Sequence, residues 1–425
     1  MNAANTVNPA QPTVVLVYQR TSLPWVFDSA QRAGIRLVLV PRPDETVEPD
    51  RLPAAVADVL PLDVEGDPAG ALAALQQYHH EHPFDGITTL YDPAVPFVAG
   101  AARALGLPGI PPSTAAGVQD KRLMRERLAA AGLNVPRFLK LDDGAPADAA
   151  DLDFPVVVKP AHGYSSLGVT RAEDPGRLAA VVAEVREVCR GVLGAEPALV
   201  VEEYLDGPEY AVESLAHRGE VTVLSIGYKG EPKGPYFEET VYRAPAALPP
   251  AVQEAVVREV TAAHRALGVT DGPTHTELRL RGGTEPYLLE MGARVGGSGV
   301  SHYIASHVTG VDLAADALRV AAGLPPACAG APVTAVGAAA NYIVPCGGHG
   351  RITAIHGLDA VRADPRVDHV VQMLHPGDVV RPYPDFTGYP AFVLSRHAST
   401  AEAEEFHRHL ESAIRIDYAP EESTR

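Results

Sequence analysis

Short β-branched runs separated by about one helix length fill the first quarter of the chain, and this alternation restricts the fold more than any other feature. Residues 12–18 read P-T-V-V-L-V-Y; a polar turn follows, apolar spacing predicts a helix over 26–33, and Gly34 leads into a second run at 35–40. A helical stretch is expected near 69–80, a strand over 84–91, and then an Ala-rich segment ending at Gly106. Strands that alternate with helices imply a parallel sheet with helices on its faces. The loop at 109–113 punctuates this unit, and a charged helix is expected over 121–131, closed by Gly132.

Length and composition narrow the class. A chain of 425 residues suggests two to four domains, and 46 % hydrophobic with 21 % charged residues is ordinary for a folded globular protein. The net charge of −18 has the wrong sign for a surface that neutralises phosphate backbones or anionic lipid. No nucleic-acid or membrane partner is therefore expected, although a local Lys and Arg cluster can still hold a small anion. Three widely spaced cysteines, Cys189, Cys328 and Cys346, form neither a disulfide framework nor a thiolate zinc pattern, which fits a reducing cytoplasm. The N-terminal run at 14–17 is too short for a signal-peptide core. Residues 320–350 lack Lys, Arg, Asp and Glu, but the prolines and glycines there interrupt any membrane-length apolar run.

The middle of the chain carries the chemistry. A strand at 154–159 ends in Lys159 and runs into P-A-H-G-Y-S-S-L-G at 160–168, a Gly- and Ser-rich loop that can bring backbone N–H groups close to phosphates but lacks the Walker pattern. A second apolar strand carries E-E-Y-L-x-G-x-E at 202–209, which by itself reads more readily as a solvated strand end with alternating acids. Glu277 and Glu290, separated by 13 residues, lie on two apolar runs (274–280 and 287–291) joined by R-G-G-T at 281–284. In such a hairpin the two carboxylates can share a face, where they repel unless a cation sits between them; hard oxygen ligands suit Mg²⁺. Two exposed hairpin acids are the plainer alternative. Arg294 follows four residues after Glu290.

Taken together, Lys159, the Gly-Ser loop, E-E-Y-L-x-G-x-E, and Glu277 with Glu290 and Arg294 resemble the ATP-grasp superfamily in order and spacing over about 119–301. The N-terminal unit, with Q-D-K at 119–121 and A-G-L-N-V-P-R at 131–137, resembles the pre-ATP-grasp domain. The resemblance implies an α/β and α+β fold in three parts: a parallel α/β pre-ATP-grasp domain (1–115), a two-subdomain ATP-grasp domain (116–330, lid about 155–200) and a β-rich C-terminal domain similar to that of biotin carboxylases (331–425). From 333 onward short strands and turns are expected, with a final amphipathic helix near 400–414.

Residue by residue, the resemblance implies that Lys121 and Lys159 contact ATP phosphates, with Ser165, Ser166 and Gly168 in the loop closing over them. Glu202 would accept from the adenine amino group, Glu203 and Leu205 would supply hinge backbone, and Glu209 would take the ribose hydroxyls. Glu277 and Glu290 would hold Mg²⁺ or Mn²⁺, and Arg294 would stabilise the transferring phosphoryl group. Gly292 stands where many members of the family carry Asn, so one metal ligand is missing or replaced by water.

Y-F-E-E-T at 236–240 and the tail at 375–395 make the chain most similar to the L-amino acid ligases, the dipeptide-forming branch of the bacilysin type. Glu238 or Glu239 would meet the free ammonium of the first substrate, with Glu239 counted among the catalytic residues; Tyr242 stands where a His is expected. Gly297 and Ser298, in the small-residue run 296–299, would border the donor pocket. The implied reaction joins a carboxylate, activated as an acyl phosphate, to an amine, with ADP and phosphate released; the partners are small molecules, and a homodimer is compatible. A biotin-carboxylase-like carboxylase and a nucleotide sensor without turnover are the alternatives. The first is disfavoured by the lack of a Met-Lys biotin-acceptor segment, the second by the intact charged residues.

Overall fold

A computed structural model describes residues 11–20, 25–141, 151–163, 166–193, 197–297, 300–330, 333–382 and 388–419. The first unit contains β1 (Thr13–Val17), α1 (Trp25–Ala33), β2 (Arg36–Val40), β3 (Val56–Val59), α2 (Pro68–Glu81), β4 (Gly86–Thr89) and α3 (Val95–Leu105). Its sheet has the order β3-β2-β1-β4 with every pair parallel, as the alternating runs require. Both faces of β1 are buried: Val14 and Leu16 pack towards α1, Val15 and Val17 towards α2 and α3. Gly106 ends α3 in a left-handed turn.

Helices α4 (Pro112–Gln119) and α5 (Lys121–Ala130) lead into the central region. The Asp120 side chain caps α5 by accepting from the Arg122 backbone N–H at 2.8 Å, which sets Lys121 at the first helical position. A small subdomain follows: β5 (Phe138–Leu141), β6 (Val156–Pro160), β7 (Thr170–Ala172), α6 (Pro175–Leu193) and β8 (Leu199–Glu203). Its antiparallel order is β5-β8-β6-β7, so it draws on Phe138 as well as on 155–200. The inward faces of β6 and β8 and one side of α6 form its own core.

The third assembly has β9 (Glu209–His217), β10 (Glu220–Gly230), β11 (Val241–Ala244), α7 (Pro250–Leu267), β12 (Gly272–Arg281), β13 (Glu285–Gly292), α8 (Val300–Thr309) and α9 (Leu313–Ala321). Beyond it come β14 (Ala338–Ile343), β15 (Gly350–His356), α10 (Leu358–Arg362), β16 (Val367–Gln372), β17 (Val379–Val380), β18 (Ala391–His397), α11 (Thr400–Ala413) and β19 (Arg415–Tyr418). The eight-stranded sheet β13-β12-β9-β10-β11-β14-β18-β16 runs through both regions, because β11 pairs with β14. The C-terminal strands therefore extend the grasp sheet, while β17, β15 and β19 make a separate small sheet. Helix α9 returns to the first unit, where Ala314, Leu318 and Ala321 complete the core around Phe27. The cleft between the small and large sheets holds the candidate site. Among the described residues no helix is long and apolar enough to cross a membrane.

Candidate active site

The β12–β13 hairpin places Glu277 directly opposite Glu290, with a register shift just after Glu277. Both carboxylates face a cleft of about 990 Å³, counting its open mouth. Each also carries a lysine. The Lys121 ammonium lies 3.1 Å from Glu290 Oε1 and donates to the Gly163 carbonyl at 3.0 Å, so the start of α5 is tied to the loop after β6. The Lys229 ammonium, at the end of β10, lies 2.6 Å from Glu277 Oε1, 2.9 Å from Glu209 Oε1 and 3.0 Å from Glu239 Oε1. Burial pulls its pKa down, but the three carboxylates outweigh this and hold Lys229 well above the ordinary lysine value.

Lys159 is drawn inward. Its ammonium lies 2.6 Å from Glu202 Oε2, while Arg125 Nε lies 2.6 Å from Glu202 Oε1, and Arg125 also donates to the Leu289 carbonyl. Burial pushes the Glu202 carboxyl up, yet the two cations hold it down to about 2. Burial, aided by Arg125, pulls Lys159 below its ordinary value despite Glu202. The Glu202 carboxylate expected on the adenine amino group is thus the buried counterion of Lys159 and Arg125, both oxygens already engaged. That correction follows from Arg125, which α5 brings from a distant part of the chain.

On the far side of Glu277, His275 stands between two acids, with Nδ1 2.7 Å from Glu213 and Nε2 3.5 Å from Glu277. Burial lowers its pKa, but the flanking carboxylates win and raise it to about 9. Glu213 is fully buried; it also accepts from Tyr242 Oη at 2.5 Å and from Ser301 Oγ at 2.7 Å. Arg294 donates through Nε to Asp92 Oδ1 at 3.0 Å.

Most of the expected residues meet here. Lys121, Lys159, Ser166, Glu202, Glu203, Leu205, Glu209, Glu239, Glu277, Glu290 and Arg294 all line the cleft. Four others do not. Glu238 forms a backbone bridge with Lys233, and Glu239 is the member of the pair that reaches the cleft, its N–H donating to Tyr389 Oη at 2.9 Å. Tyr242, expected in the substrate pocket, is buried behind it, because strand alternation on β11 turns the ring towards α8 and the Ala211–Ala339 core. Gly227 makes room for that ring: a Cβ there would lie 2.1 Å from Tyr242 Cε2. Gly168 supports the loop from behind, since its φ of +69° and a would-be Cβ 3.0 Å from Cys189 Sγ both call for glycine. Gly297 has φ +32° and does not line the cleft. Ser165 and Ser298 lie outside the described residues.

Sequence reasoning missed Lys229, His275, Arg125, Glu213 and Asp92. A charged residue closing an otherwise apolar strand was the available signal for Lys229, as it was for Lys159; the rest are marked only by their long-range partners.

A divalent cation fits this donor set. Two carboxylates converge and each already attracts an ammonium, but among the described residues no group of three or more His, Cys, Asp or Glu forms a complete protein cage. Mg²⁺ is commonly bound in this way, by one or two carboxylates with water and substrate phosphates completing the shell. Glu277 and Glu290 would hold it.

Comparison with known proteins places this geometry. The crystal structure of L-amino acid ligase from Bacillus licheniformis superposes with a TM-score of 0.88 and 40 % identity, covering 96 % of this chain and 99 % of that one. The chain belongs to the ATP-grasp ligases. Family models for the ATP-grasp N-terminal domain, the ATP-grasp domain and the L-amino acid ligase C-terminal domain 2 match this ligase at residues 27–109, 152–302 and 342–419. D-alanine–D-alanine ligase of Aromatoleum aromaticum is 31 % identical over 49 % of this chain and 69 % of its own length. Alanine–anticapsin ligase of Bacillus subtilis is 28 % identical over 54 % of this chain and 52 % of its own. The chain spans 65 %, 34 % and 63 % of the length of three further curated relatives. The expected family and fold class are thus borne out, and the L-amino acid ligase C-terminal domain 2 model matches the C-terminal region.

Proposed function

We propose that this ATP-grasp ligase activates the carboxylate of an amino acid as an acyl phosphate and joins it to an amine, forming an amide or dipeptide with release of ADP and phosphate. The observation that carries the reading is the convergence of Lys121, Lys159 and Arg294 with Glu277 and Glu290 on one cleft, with Lys229 paired to the cleft acids Glu209, Glu239 and Glu277. Lys121, Lys159 and Arg294 offset the triphosphate charge and the charge that builds on the transferring phosphoryl group. Glu277 and Glu290 would hold Mg²⁺, which would supply further charge neutralisation when bound. Lys121, tied to the Gly163 carbonyl, draws the loop after β6 over the phosphates, and Lys159 is aimed by Glu202 from behind.

The nucleotide base lies towards the hinge at 203–205, where Arg279 donates to the Leu205 carbonyl and stacks near Tyr204 and Phe237. Glu209, which lines the cleft, takes the ribose hydroxyls. Glu239 meets the free ammonium of the first amino acid. A closed cleft holding carboxylate, phosphoryl group and amine in line can supply about 7–11 kcal/mol of the barrier reduction by placement alone.

The test is a coupled measurement of ADP release across the twenty amino acids, singly and in pairs, with the product identified by mass. ADP formation that requires an amine acceptor and matches amide one to one supports the reading. ADP formation that depends on bicarbonate, or no turnover with any pair while ATP binds, would overturn it.

A further inference from the structure

The first unit sends one side chain into the reaction centre. Asp92 follows β4 at the carboxyl edge of the parallel sheet, where open α/β sheets place their ligand-binding loops. Its two oxygens are divided between two partners: Oδ1 accepts from Arg294 Nε at 3.0 Å, and Oδ2 accepts from Gln119 Nε2 at 3.0 Å. Gln119 Nε2 also donates to the Asp92 backbone carbonyl at 2.9 Å, so both the loop and its carboxylate are fixed from α4. Asp92 and Arg294 side chains are only 13 % and 18 % exposed, which makes the pair less screened than a surface ion pair. Arg294 Nη1 donates to the Val295 carbonyl at 3.2 Å, and Nη2 has no protein partner among the described residues.

Gly292 adjoins this pair. A Cβ at 292 would lie in ordinary van der Waals contact, 3.4 Å from Asp92 Oδ1 and 3.8 Å from Arg294 Cζ. The position that lacks the Asn suggested by resemblance is thus flanked by a carboxylate delivered from another part of the fold.

We propose that Asp92 is a positioning residue for Arg294: it grips the guanidinium at Nε so that the remaining N–H groups point at the reacting centre, making the N-terminal unit a working part of catalysis. The inference rests on the proposed role of Arg294. A guanidinium gripped on one edge loses little freedom when the phosphoryl group arrives, whereas a loose one must be ordered during the reaction.

The experiment compares Asp92→Asn, Asp92→Glu, Arg294→Lys and the Asp92→Asn/Arg294→Lys double variant in the full chain, measuring kcat, KM for ATP and the thermal midpoint. Asp92→Asn is expected to lower kcat about 10- to 100-fold with KM for ATP within about threefold of wild type. Asp92→Glu, which keeps the carboxylate, is expected to recover most of that loss. Lysine has no Nε fork, so Asp92→Asn should add less than about twofold in the Arg294→Lys background. Wild-type kcat in Asp92→Asn, equal losses in both backgrounds, or loss of activity in Asp92→Glu as deep as in Asp92→Asn would each overturn the proposal. If Asp92→Asn fails to fold, the Asp92→Glu result decides. Wild-type turnover in the Arg294→Lys single variant would instead strike at the role given to Arg294.

Discussion

Replacing Lys229 by Met removes a single ammonium and leaves most of its stem, and the consequences can be worked from three distances. The ammonium lies 2.6, 2.9 and 3.0 Å from Glu277, Glu209 and Glu239. At an effective dielectric constant of about 20, each contact carries a gross attraction of about 6 kcal/mol, most of it cancelled by the desolvation of the groups involved. Breaking one side of a buried ion pair costs about 3–5 kcal/mol, because the abandoned charge stays behind. Here the acids are 15–37 % exposed and water reaches them, so the lower end applies.

Lys229→Met should therefore lose about 3 kcal/mol in urea unfolding at neutral pH without added metal. Glu277, freed of its lysine, then faces Glu290 as an open two-carboxylate cation site. Adding MgCl₂ should restore part of the loss, about 2.7 kcal/mol if the free ion reaches a hundred times its dissociation constant, and should stabilise wild type much less. Turnover should fall in the variant throughout, since the cleft acids Glu209, Glu239 and Glu277 lose their shared counterion. An unfolding midpoint equal to wild type, or identical Mg²⁺ stabilisation of the two proteins, would refute the view that Lys229 is the resident counterion of this acidic cluster.

Two further outcomes follow from burial. His302 and His407 are held neutral inside the fold, burial pulling them down to about 4 and about 3. Unfolded, each takes up a proton near pH 6.5, so the unfolded state binds more protons below that value; stability should be full above about pH 6.5 and fall by up to about 1.4 kcal/mol per pH unit for each histidine as the pH drops towards 4. Urea midpoints at successive pH values measure this slope, and His407→Phe should flatten it. Gly227→Ala forces a methyl to within 2.1 Å of the Tyr242 ring and should cost about 1–3 kcal/mol, recovered in part when Tyr242→Leu is added; thermal unfolding of both variants checks the pair.

Local pattern carried a large share of this protein. Alternating β-branched runs and helix-length spacers made the first sheet parallel, since a helix between two strands leaves few other ways to bury both faces. The R-G-G-T turn joined two apolar runs into a hairpin; the register it sets would put Glu277 opposite Leu289, and the shift just after Glu277 brings Glu290 opposite it instead. Lysine and arginine at strand ends, read with the Gly-Ser loop, located the cleft.

Other features needed the assembled fold. Glu202 reads as one of several acids at a strand end until α5 lays Arg125 against it and turns it into a buried counterion. Tyr242 faces the core because β11 is sandwiched between β10 and β14, and no local signal told that a C-terminal strand would complete the central sheet. The Lys229 cage draws its acids from β9, β12 and the segment before β11, and the Asp92–Arg294 contact joins residues 202 positions apart. Such contacts depend on how sheets stack and domains dock. Hydrophobic period and turn chemistry act over a few residues and decide which elements form; the burial of their faces against one another decides which charges end up sharing a cleft.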